Sequence, residues 1–139
     1  MLLRKKIYPI KKAPWWRFEI VVFETFGEMY EYGMTEWATK GKDLGTDYRA
    51  IMLGLRPPLG RLLGEILLCK KDLSMNTISH EVSHAAWWYL QCVKGKEAMM
   101  ALVNREGVTH NDEELLADLI GGMIGQVEEI IAKSSLYCD

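Results

Sequence analysis

Cysteine is scarce and scattered in this chain. Cys69, Cys92 and Cys138 are odd in number, widely spaced and contain no Cys-x-x-Cys pair. That excludes a disulfide scaffold and a cysteine–zinc knuckle, and leaves free thiols in a reducing compartment as the expectation. Long apolar runs are also missing: nothing approaches the roughly 20 consecutive residues that a membrane-spanning helix needs. The opening MLLRKKIYPIKKAPWW carries charge where the apolar segment of an export signal belongs, so the cytoplasm is the expected location. There is no internal repeat and no low-complexity tract. The net charge of −2 gives no general pull toward nucleic acid or membrane.

What is present fits one folded domain over residues 1–139. Hydrophobic residues make up 49% and charged residues 26% of the 139, as in ordinary globular proteins. Charge is uneven. Arg4, Lys5, Lys6, Lys11, Lys12 and Arg17 occur in the first 17 residues without one acid, and the remainder carries 11 basic against 19 acidic residues. Residues 1–16 therefore read as a solvated basic arm.

RFEIVVFETF (17–26) is rich in β-branched and aromatic residues and reads as a strand. GEMYEYGM (27–34) continues it or pairs with it, and TKGKDLGTD (39–47) is polar enough for a loop. AIMLGL, RPPLG and RLLGEILLCK then read as strand, turn and strand, with Pro57, Pro58 and Gly60 as punctuation. The first of these apolar runs could instead end a short helix starting near Thr46. In SMNTISHEVSHAAWWYLQCV (74–93) the period changes to that of a helix, with Asn76 as N-cap. Ile78, Val82, Ala85, Ala86, Tyr89 and Val93 form one apolar face, and His80, His84, Trp87 and Gln91 take the opposite side. A second helix is expected over NDEELLADLIGGMIGQVEEIIAK (111–133), capped by Asn111, with Asp112, Glu113 and Glu114 in its first turn. Ala117, Gly121 and Gly125 recur every four residues. Glycine weakens a helix interior by about 1 kcal/mol, so another backbone, that of the histidine helix, is expected close to this stripe. The fold class that follows is α+β: a small, mostly antiparallel sheet packed on two main helices.

HEVSH (80–84) places two of the chain's three histidines one helical turn apart. Imidazoles at i and i+4 reach one metal ion at nitrogen–zinc distances near ~2.0 Å without bending the helix. Glu81 projects about 100° away from His80 and so suits a general base that holds water better than a ligand. ELLAD (114–118) offers a third ligand, Glu114, and a carboxylate, Asp118, to orient a histidine by accepting its second N–H.

The pair HEVSH and ELLAD resembles the zincin metallopeptidases, in the gluzincin branch with its HExxH helix and downstream Glu-x-x-x-Asp helix. GEILLCK, just before the first helix, resembles the zincin edge strand that lines the cleft and pairs with an extended substrate. The likeness covers about residues 48–133, and the small size is similar to compact HExxH proteins of phages and mobile elements. It implies Zn2+ as cofactor, His80, His84 and Glu114 as ligands, Glu81 as catalytic base and Asp118 in support. No third histidine stands at the short metzincin spacing.

Plainer readings stand beside these. His80 and His84 could be exposed residues paired with Glu81 and Glu114. Glu114 could complete a capping box with Asn111, with Glu113 as substitute ligand, and Asp118 could be a surface acid. Trp87 and Trp88 suit packing better than substrate platforms, and Cys92 reads as a buried thiol. His110 is a candidate oxyanion stabiliser, as are Tyr30, Tyr32, Tyr48 and Arg105. The expected function is zinc-dependent hydrolysis of a peptide or protein substrate lying along the 61–70 strand. The alternative is a non-catalytic zinc-containing binding or regulatory protein, as in a phage–host interaction. A third reading, nucleic-acid binding by the basic arm with Trp15 or Trp16 stacking on bases, is disfavoured by the acidity of the rest. No membrane partner is expected, and the sequence does not fix the oligomeric state.

Overall fold

The computed structural model describes residues 1–12, 14–36, 49–95, 110–134 and 136. Strands β1 (Leu3–Ile7), β2 (Arg17–Phe23), β3 (Ala50–Leu59) and β4 (Leu62–Cys69) form one sheet in the order β1-β2-β4-β3. β1/β2 and β3/β4 are antiparallel, and the central pair β2/β4 is parallel. Helix α1 (Phe26–Glu36) covers one face. α2 (Met75–Tyr89), prolonged by a π-helical turn over Leu90–Lys94, and α3 (His110–Lys133) cover the other. The fold is α+β with a largely antiparallel sheet, as the sequence predicts. Among the described residues, no helix is long and apolar enough to cross a membrane.

The strand period of two sorts the core into two layers. Phe18, Ile20, Val22, Ile66 and Leu68 face α2 and α3, while Val21, Phe23, Leu67 and Cys69 face α1. β2 and β4 thus have both faces covered, and the near-continuous apolar runs IVVF and EILLC are what such strands require.

Several expectations are corrected. Residues 3–7 are not a loose arm: they form edge strand β1, whose lysines suit an edge that must not recruit another strand. Residues 26–36 form a helix rather than more sheet, because Thr25 caps it; its Oγ1 accepts the Glu28 amide at 3.2 Å. α2 starts at Met75 under Ser74, whose Oγ accepts the Thr77 amide at 3.2 Å, not under Asn76. α3 already includes His110, so Asn111 lies inside it. Ala117, Gly121 and Gly125 are exposed, and no neighbour lies within 4 Å of where a Cβ on either glycine would stand. α3 instead buries Leu119, Met123, Val127 and Ile131. The segment read as a loop, 39–47, lies outside the described residues.

Two glycines in the sheet do accept a close neighbour, Gly64 against the backbone of Leu53 and Gly54 against α2. At Gly54 on β3, a Cβ would fall 2.6 Å from Trp88 Cδ2 and 2.7 Å from Nε1. The indole lies over the glycine and donates from Nε1 to the Leu63 carbonyl at 3.1 Å. This contact seats α2 on the outer half of the sheet.

Candidate metal and catalytic site

α2 buries Ile78, Val82, Ala85, Ala86 and Tyr89, which turns His80 and His84 outward on the far side. Their Nε2 atoms face each other at 3.2 Å, with the rings edge-on at 79°. Two imidazole nitrogens bound tetrahedrally at about 2.0–2.1 Å from one zinc ion stand roughly 3.3 Å apart. The pair therefore fits a shared cation as it stands. Without one, the same distance serves a single N–H···N hydrogen bond, with one ring donating and the other accepting. His80 is open to solvent, its side chain 69% exposed.

Glu81 differs from its neighbours. Its residue exposure is only 7%, and Oε1 lies 4.0 Å from His80 Nε2. Burial raises its proton affinity above the ordinary carboxylate range, against the opposing pull of His84, His80 and the Met52 amide. That amide belongs to β3 and lies near enough to the Glu81 carboxylate to favour its charged form. The Glu81 carboxylate is thus turned inward, with raised proton affinity, beside two outward imidazoles.

The structure does not bring the remaining predicted residues into this group. Glu113, Glu114 and Asp118 are exposed on α3. Among the described residues, no cluster of three or more His, Cys, Asp and Glu side chains is placed to hold a metal ion. The His110 side chain, Tyr48 and Arg105 lie outside the described residues. Tyr30 and Tyr32 belong to the α1 side of the sheet, so neither reaches the histidines to act on an oxyanion. Trp87 and Trp88 are packing residues against the core, as expected, whereas Cys92 is half-buried rather than buried.

The strand assigned to substrate also changes. β4 is paired on both sides, by β2 and β3, and has no free edge to offer. Among the described strands, the edge beside α2 is β3. Sequence reasoning missed this, along with the approach of the Met52 amide to Glu81. Gly54, under the half-buried Trp88, marks where the helix touches the sheet.

A second polar cluster lies on the α1 face. Arg4 Nη1 donates to Glu19 Oε2 at 2.6 Å and to Glu65 Oε2, and Nη2 donates to the Tyr32 hydroxyl at 2.8 Å. Tyr32 in turn donates to Glu65 Oε1 at 2.7 Å. Burial disfavours the Arg4 charge, but the bonds to Tyr32, Glu19 and Glu65 outweigh it and raise its pKa. Glu65, 3% exposed, is thereby satisfied, and β1 is tied to a strand two places away.

No family model, no curated protein and no solved structure matches this chain.

Proposed function

We propose that this protein is a small zinc-dependent metallopeptidase of the zincin type, acting on a peptide or protein substrate in the cytoplasm. The observation that carries the reading is the 3.2 Å approach of His80 Nε2 and His84 Nε2 on the turn that also buries Glu81. His80 and His84 would hold the ion. When bound, zinc supplies a Lewis acid that polarises a carbonyl and acidifies water. Glu81, 4.0 Å from His80, would take a proton from the attacking water and return it to the leaving amine. β3, as the edge strand beside α2, is where an extended peptide can add main-chain hydrogen bonds. The reduced thiols of Cys69 and Cys92 suit the cytoplasmic location.

The second reading, a zinc-containing protein that binds a partner without catalysis, draws on the exposed positions of Glu114 and Asp118. An open two-histidine site can be completed by a partner's side chain. Glu81→Gln separates the two readings. The variant is expected to retain zinc and to lose peptide cleavage by at least about a hundredfold; zinc retention with undiminished cleavage would remove Glu81 as base. His80→Ala is expected to lose the metal. Stoichiometric zinc in Glu114→Ala would withdraw that residue as third ligand, a role that rests on the resemblance alone.

A further inference from the structure

A cavity of about 460 Å³ opens between the segment after β1 and the C-terminal half of α3, away from the histidines. Its frame is fixed. Gln126 grips the backbone of Tyr8 at both ends, accepting from Tyr8 N at 2.9 Å and donating to Tyr8 O at 2.8 Å. Lys6, Lys11 and Lys133 line it together with Tyr8, Ile130 and Pro14. The single carboxylate in the lining, Glu129, is neutralised by Lys133 at 2.7 Å.

Each lysine has a local reason to exist: Lys6 protects a sheet edge and Lys133 complements the last turn of α3. Those reasons do not account for their convergence on a concave surface with an aromatic and aliphatic floor. The chain beyond residue 17 carries 19 acids against 11 bases, so a concentration of cations here stands out from the general charge. Glu129 registers the local field, since Lys133 and then Lys11 hold its carboxyl below the usual range. Three ammonium groups against one carboxylate leave two positive charges.

We infer that this cavity binds a small phosphate monoester, its dianion held by Lys6, Lys11 and Lys133 and its flat apolar body resting on Tyr8 and Ile130. The volume lies in the range of small-molecule sites, which combine apolar walls with a few converging polar groups. Two negative charges match the two left uncompensated, and a flat organic group matches the floor.

The full-length protein, labelled with 15N, is titrated with phenyl phosphate and observed by amide shifts. Saturable shifts are expected at residues around the cavity, Tyr8, Gln126 and Ile130 among them. Lys6→Gln, Lys11→Gln and Lys133→Gln, exposed changes that spare the fold, should each weaken binding roughly tenfold. Inorganic phosphate should bind more weakly than phenyl phosphate. Binding should survive in His80→Ala, which separates this site from the metal reading. No saturation up to about 10 mM, equal affinity in the glutamine variants, or equal affinity for neutral benzyl alcohol would overturn the inference. So would tighter binding of an oligothymidylate whose shifts spread to Lys12 and Trp15, which would make the surface a nucleic-acid site.

Discussion

Gly54→Ala tests whether the seat of the histidine helix is as tight as described. The added methyl would lie 2.6 Å from Trp88 Cδ2 and 2.7 Å from Nε1, about 1 Å inside ordinary carbon contact. A tryptophan ring cannot yield by bending, so either the indole or β3 must shift. Overpacking of this kind costs about 1–3 kcal/mol. Displacing the indole also breaks the bond from Trp88 Nε1 to the Leu63 carbonyl, worth about 1 kcal/mol net. Replacing glycine by alanine in a strand returns part of this, about 0.5–1 kcal/mol. The expected loss is about 2–3 kcal/mol, a fall of roughly 7–10 °C in Tm for a chain of this length. Urea titration and calorimetry measure it directly. The double variant Gly54→Ala/Trp88→Leu should recover at least about 1 kcal/mol relative to additivity. A single variant melting within about 2 °C of wild type, or strict additivity in the pair, would refute the contact. The same strain lies close to the site, because Met52, whose amide lies near Glu81, is two residues before Gly54.

Arg4→Ala removes the main cationic partner of buried Glu65. Breaking a buried pair costs about 3–5 kcal/mol, but Arg4 is a third exposed, so about 2 kcal/mol is expected by chemical denaturation. Arg4→Met/Glu65→Leu should recover part of that loss, since the buried charge of Glu65 goes with its partner while Glu19, its side chain 15% exposed, is left without Arg4. Burial raises the proton affinities of the Cys69 thiol and the Tyr89 phenol, so the unfolded chain releases these protons before the folded one. Stability should therefore fall as pH rises through about 9, by at most about 1.4 kcal/mol per pH unit for each group. Cys69→Ala/Tyr89→Phe should flatten that slope.

The parts of this molecule legible in its sequence are those where one period has no competitor. β2 and β4 read as strands because apolar residues run unbroken, and α2 and α3 as helices because their apolar residues recur at three and four. α1 was obscured by the aromatic residues of FGEMYEYGM, which favour strands. The better guide was Thr25 with Glu28 three residues on, a capping pattern local chemistry enforces. β1 was hidden by its own lysines, since charge marks a solvated tail and a guarded sheet edge alike. On α3, two stripes four residues apart competed for the core. The one with Leu119, Met123 and Val127 won because it buries large side chains, leaving Gly121 and Gly125 outside. The turn bearing His80, Glu81 and His84 was legible since its geometry lies within one helix. Relations between elements, such as which strand is the edge or where Glu114 stands, depend on topology that spacing does not encode.

Gln126 clasps Tyr8 across 118 positions of chain, so β1 rests on a helix synthesised long after it. β1 can zip onto β2, but its outer flank has no cover until α3 has been made. β2 must likewise wait for β4, its parallel neighbour, to be synthesised. Closing such long loops is slow, so the hairpin of β3 and β4 with α2 is where order should begin. A truncated nascent chain ending before α3 would leave the sheet half-clothed and prone to association.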